Sequence, residues 1–114
     1  MLEKKYRLTK KEDFDSVFKK GAWVRGRLLS LRIKKTTNIF PRIGLVVGIK
    51  TAKKAVIRNR IKRQIRASFS KHIEGMKGGF DIVVVPAPEI VEEKFIDIHG
   101  EITQLLTKIH IIDD

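Results

Sequence analysis

The sequence holds 114 residues, the size of one compact domain, with 42% hydrophobic residues and no cysteine. That composition excludes a disulfide scaffold, a thiolate metal cluster and a cysteine nucleophile. Lys and Arg number 25 against 13 Asp and Glu, a net charge of +12 that calls for a polyanionic partner. The charge is unevenly spread: residues 1–15 carry five basic and four acidic side chains, residues 16–73 seventeen basic and none acidic, and residues 74–114 three basic and nine acidic. Solvated surfaces normally mix both signs, so fifty-eight successive residues without a carboxylate point to phosphates. The first 20 residues are charged throughout and no apolar run approaches the roughly 20 residues of a membrane span. The expectation is a soluble single domain, 1–114, without a membrane partner.

Thr9-Lys10-Lys11-Glu12 has the spacing of a capping box, and Gly21 stands where a helix C-cap falls. A short helix is predicted between them, with Phe14, Val17 and Phe18 on one face. Over residues 23–35 the period becomes two: Leu29, Leu31 and Ile33 alternate with Leu28, Ser30, Arg32 and Lys34, a half-buried strand with a basic face. After a turn-like break at 36–41, Ile43, Leu45, Val47 and Ile49 alternate with Arg42, Gly44, Val46, Gly48 and Lys50, and the two strands are expected to pair as an antiparallel hairpin. Gly44 and Gly48 share a side, leaving that face low enough for a helix or a ligand backbone.

Ile57, Ile61, Ile65 and Phe69, at steps of four, predict a helix over 56–73. Past Lys77-Gly78-Gly79, residues 80–85 are apolar on both parities, as in a central strand covered on both faces. Pro86 and Pro88 end it. Pro88, Glu89, Glu92 and Glu93 then signal the start of a last helix, with Val91, Phe95, Ile98, Ile102, Leu105 and Ile109 as its stripe and Gly100 as a weak point.

The densest signal is residues 50–66, with eight cations and no acid. Wound as a helix, they put Asn59, Arg63 and Arg66 on one ridge and Lys62 beside Arg66, while Arg58 falls near the apolar arc and is expected to act from the first turn. Like charges this close repel, and an anion is the simplest compensation. The planar fork of Arg suits phosphates, which favours that reading over a solvated basic face. Phe14, Phe18 and Trp23 form a second group, open to two readings: core residues, or rings lining a groove where unpaired bases stack.

Other patterns carry less. Residues 44–51 imitate a Walker loop with the wrong spacing and strand alternation. His72, His99 and His110 are too scattered for a local metal motif, and Asp13, Asp15, Glu92 and Glu93 sit at expected helix starts. No protein-only active site is expected.

The segment Ala55-Val56-Ile57-Arg58-Asn59-Arg60-Ile61-Lys62-Arg63-Gln64-Ile65-Arg66 resembles the RNR helix of the bacterial ribonuclease P protein subunit. Arg7-Leu8, Asp13-Phe14, Val17-Phe18 and Lys20-Gly21 resemble that family's first helix. The resemblance implies an α+β fold, an α/β sandwich in the order helix-strand-strand-helix-strand-helix, similar to domains of a small-subunit ribosomal protein and of elongation factor G. It also implies a left-handed βαβ crossover, against the usual rule, with room for a short extra strand.

In function, the resemblance implies a cytoplasmic RNA-binding subunit of the ribonucleoprotein that removes the 5′ leader from precursor tRNA. The RNA subunit would perform the hydrolysis with Mg2+ held mainly by RNA, and the protein would lower the magnesium requirement. Lys53, Lys54, Arg58, Asn59, Arg60, Lys62, Arg63 and Arg66 would face the catalytic RNA, and a cleft with Phe14, Phe18, Arg32, Lys34 and Lys50 would hold the leader. No residue would be catalytic or bind metal, and the protein alone would be a monomer. Arg32 stands where members of the family place an aromatic, so leader affinity is expected to lean on phosphate attraction more than on stacking. A structural ribosomal-type RNA-binding protein is the alternative. A duplex-DNA reader is weaker, because no helix-turn-helix partner precedes residues 58–66.

Overall fold

A computed structural model describes residues 2–113. In chain order the helices and strands are α1 (Lys11–Lys20), β1 (Ala22–Arg25), β2 (Leu29–Lys35), β3 (Arg42–Leu45), α2 (Ala55–His72), β4 (Phe80–Pro86) and α3 (Phe95–Lys108). The strands form one sheet in the order β1-β2-β4-β3, with β4 antiparallel to β2 and parallel to β3. This is a mixed α+β domain, as expected.

Strand alternation decides what lies on each side of the sheet. Leu29 and Leu31 of β2, Ile82 and Val84 of β4 and Ile43 of β3 face α2 and α3, joining Ile61, Ile65, Phe69, Ile98, Ile102 and Leu106 in the main core. On the other side Val83 packs with Leu8 and with Phe14, Val17 and Phe18 of α1. β4 is buried on both faces, which is why its sequence is apolar on both parities.

The expected hairpin between residues 23–35 and 43–49 does not form. β4 lies between β2 and β3, and β3 joins as an edge strand parallel to β4 through the α2 crossover. Alternation specifies a strand's face and is silent on its neighbour, and the doubly apolar strand took the centre.

Residues 23–35 are two strands rather than one. β1 and β2 pair as the hairpin, joined by Gly26, Arg27 and Leu28. The three-residue loop switches the inward parity from even positions (Ala22, Val24) to odd ones (Leu29, Leu31, Ile33). The carboxylate of Glu101 on α3 closes the loop by accepting the N–H groups of Arg27, Leu28 and Leu29 at 2.8–3.1 Å. A Cβ at residue 26 would stand 2.8 Å from the Leu29 backbone carbonyl as well as against that carboxylate, so the loop needs its glycine.

Two helix starts are also corrected. Lys10, without a side-chain bond, caps α1 in place of Thr9. Arg7 bridges Ile43 and the Leu8 N–H donates to the Ile43 carbonyl at 2.9 Å, which ties the preceding residues to the sheet edge as extended chain. Gly21 caps the other end as expected, its N–H donating to the Val17 carbonyl at 2.7 Å. Pro88 opens a separate 3-10 turn, Pro88–Glu92, anchored by buried Ile90, and α3 begins only at Phe95. Glu89, Glu92 and Glu93 therefore lie outside it. The expected second strand is shorter too, ending at Leu45 before a turn at 49–51.

Candidate nucleic-acid interface

Ile61, Ile65 and Phe69 are fully buried, each contributing roughly 1.5–3 kcal/mol, and together they fix the rotation of α2. At about 3.6 residues per turn, Asn59, Arg63 and Arg66 then point away from the core, with Arg60 and Lys62 on the flanks. Ion pairs among the described residues involve only Lys5, Arg27 and Arg42 as cations, so none of their carboxylates pairs with α2. Lys53 and Lys54 are exposed just before the helix, and its first turn holds no acid. The positive end of the helix dipole reinforces them.

Two of the expected contact residues are engaged inside the protein. Arg58 Nη1 donates to the carbonyls of Ala52 at 2.9 Å and Lys53 at 2.6 Å, stapling the segment that enters α2. Arg60 Nη2 donates to the Val91 carbonyl at 2.8 Å and ties α2 to the turn before α3.

The other candidate residues lie around the opposite face of the sheet. α1 crosses that face at one end, where Lys34 Nζ donates to Ser16 Oγ at 2.6 Å and Arg42 meets Asp13 at 3.4 Å. Toward the other end Arg25 and Val46 are exposed, and Ser30 and Val85 are only half-buried, so the sheet face is left uncovered beside α1. Phe14 and Phe18 are half-buried at its edge. A Cβ at residue 44 would stand 2.6 Å from the Phe14 ring, so glycine there lets the ring settle onto the sheet. The low face read from the sequence is thus occupied by α1 at Gly44, and open at Gly48. Lys50 is exposed on the turn beyond β3.

Arg42 and Arg32 on this face are fixed by protein partners. Asp81, buried, holds Arg42 through two bonds of 2.8 and 2.7 Å. The bond to Asp81 raises the Arg42 pKa above its ordinary value, against the lowering effect of burial. Arg32 donates to the Phe18 carbonyl and lies 4.6 Å from the centroid of the Trp23 ring.

Arg25 and Arg7 escaped the sequence reading of this surface, and Trp23, left open there between core and groove, lies on the α1 side of the sheet. Trp23 and Arg25 share that side, since Trp23 pairs with Arg32 and Arg25 with Ser30. The alternation of Trp23, Val24 and Arg25 carried that signal. Arg7 lines a hollow of about 420 Å³ with Arg63 and Arg66, and Arg66 also borders a smaller hollow beside Phe14, so the α2 face runs on to Phe14.

His72 and His99, scattered in sequence, stack at 4.9 Å between α2 and α3, with Ser68 Oγ 2.6 Å from His99 Nδ1 and Thr103 Oγ1 2.8 Å from His72 Nε2. Burial, and secondarily His99, holds the His72 pKa below its ordinary value. Among the described residues no three His, Asp or Glu side chains are grouped to hold a metal ion, and no helix is long and apolar enough to cross a membrane.

The chain matches the Ribonuclease P family model over residues 2–110. It is 37% identical over 113 residues to the ribonuclease P protein component of Pseudanabaena sp. (strain PCC 6903), covering 98% of this chain and 97% of that one. To the corresponding component of Alkaliphilus oremlandii (strain OhILAs) it is 36% identical over 107 residues, covering 94% and 93%. Its fold superposes on a Staphylococcus aureus RNase P protein mutant with defective mRNA degradation activity at a TM-score of 0.89, with 29% identity and coverage of 96% and 92%. The RNase P protein of Thermotoga maritima gives 0.81, 29% identity and coverage of 90% and 96%. A basic helix that pairs with no carboxylate among the described residues, an uncovered sheet face flanked by the aromatics of α1, and likeness along nearly the whole length agree: the chain belongs to the ribonuclease P protein family, which implies a part in the 5′ processing of tRNA.

Proposed function

We propose that this chain is the RNA-binding subunit of ribonuclease P, docking on the catalytic RNA through α2 and holding the single-stranded 5′ leader of precursor tRNA in the cleft beside α1. The observation that carries this reading is the face of Asn59, Lys62, Arg63 and Arg66, which pairs with no carboxylate among the described residues, on a helix whose opposite side is locked into the core. Cations at fixed spacing neutralise phosphates and release their counterions without first having to be ordered. Lys53 and Lys54 add to that face at the start of α2. Arg58 and Arg60 contribute mainly by holding the helix in place, with their remaining N–H groups turned to RNA. In the cleft, Phe14 and Phe18 offer ring surface that accepts any base, as a subunit serving many precursors requires. Arg32, Lys34 and Lys50 attract its phosphates.

Magnesium takes hard oxygen ligands in near-octahedral geometry, and a surface of guanidinium and ammonium groups does not offer them. No ion is assigned to this chain. In this reading the hydrolysis and its Mg2+ belong to the RNA. The protein's cations offset phosphate repulsion, so that the folded RNA keeps its ions at lower magnesium concentration. The free protein is taken as a cytoplasmic monomer.

Reconstitution tests the proposal. Adding the protein to a bacterial ribonuclease P RNA is expected to restore precursor cleavage at a magnesium concentration where the RNA alone is nearly inactive, and to favour precursor over mature tRNA. Unchanged cleavage overturns it. RNA binding with no distinction between precursor and mature tRNA would instead indicate a structural ribosomal-type protein.

A further inference from the structure

We infer that Trp23 is a stacking platform for one further base of the single-stranded leader, with Arg25 placed to receive that nucleotide's phosphate. The inference rests on the leader-cleft reading and extends the cleft one strand outward, to the edge of the sheet. Trp23 lies on edge strand β1 directly opposite Arg32 of β2, on the face that carries Val83, Phe14 and Phe18. It remains 41% exposed, so it is not a core residue.

The ring is also held. The Arg32 guanidinium lies 4.6 Å and that of Arg25 5.2 Å from its centroid, and Arg32 in turn donates to the Phe18 carbonyl at the end of α1. A fixed aromatic loses little freedom when a base stacks on it, and a base and its phosphate want a ring and a cation side by side. The sheet order places Trp23 two strand spacings, roughly 10 Å, from Val83. That is about three times the ~3.4 Å repeat of stacked bases, so Trp23 and the phenylalanines would take different bases. Arg32, partly committed to Phe18 and Trp23, then acts as the clamp between the two stacking positions.

Trp23 is the single tryptophan of the chain, so its emission reports on the site directly. In the holoenzyme assembled with a bacterial ribonuclease P RNA, precursor tRNA is expected to quench or shift that emission, and mature tRNA to leave it unchanged. Trp23→Ala should weaken precursor binding about tenfold with mature tRNA binding unaltered, and Trp23→Phe should recover most of the loss. If precursor leaves the emission unchanged while Phe14→Ala or Phe18→Ala still weakens precursor binding, the platform is overturned and the cleft reading survives. If none of the three alanine variants separates precursor from mature tRNA, the cleft reading itself fails.

Discussion

Arg32, Lys34 and Arg42 on the sheet and Lys62, Arg63 and Arg66 on α2 come from the same acid-free stretch, yet the fold treats them differently. Each of these three sheet cations is bonded inside the protein, to the Phe18 carbonyl, to Ser16 and to Asp81 with Asp13. The α2 cations pair with no carboxylate among the described residues. The acids of residues 74–114 are directed elsewhere: Asp81 to Arg42, Glu93 to Arg27, and Glu101 to the β1–β2 loop. Positive charge therefore does two jobs here. On the sheet Arg32, Lys34 and Arg42 first hold the shape of the surface, and on α2 Lys62, Arg63 and Arg66 are left over for a polyanion.

Substitutions separate the two jobs. The largest effect is expected at Arg42, because Arg42→Ala leaves Asp81 buried and unpaired between β3, β4 and α1. The loss should be about 3 kcal/mol of unfolding free energy, measured by urea denaturation. A loss below about 1 kcal/mol would mean that the sheet cations are not structural, and the contrast would collapse.

A smaller effect sharpens the contrast on the inner side of α2. The folded pKa of His72 lies below the ordinary 6.5, so the fold favours the neutral ring. Its contribution to stability is full above pH 6.5 and is lost as the pH falls below that value, because the unfolded chain then binds the extra proton. Thermal melting of the wild type should therefore fall more steeply below pH 6.5 than that of His72→Gln. Equal slopes would show that the α2–α3 seam does not sense protonation.

Which parts of this arrangement the sequence revealed follows from the range of the forces involved. The α2 ridge was legible because Ile61, Ile65 and Phe69 are buried on one side, and burial at a four-residue step dictates what faces out. The central place of β4 followed from its apolar residues on both parities. Strand neighbours were not legible, since pairing β4 between β2 and β3 is decided by packing across the whole sheet. Nor were the partners of Arg58 and Arg60: their positions on the helix were visible, but the acceptors at Ala52, Lys53 and Val91 exist only once the chain has folded. Glu101 read as one more helix acid, and its carboxylate instead closes a loop more than 70 residues away in the chain. For Trp23 the sequence left core and groove both open, because the parity switch at Gly26, Arg27 and Leu28 hid which side β1 presents.

The division between structural and RNA-directed cations is tested most directly by the salt dependence of binding to a bacterial ribonuclease P RNA, for the wild type and for Arg63→Ala with Arg66→Ala. The double variant is expected to keep its unfolding midpoint while its plot of log affinity against log salt becomes shallower by about two, one for each phosphate contact removed. A slope equal to that of the wild type would mean that this face of α2 does not meet RNA phosphates.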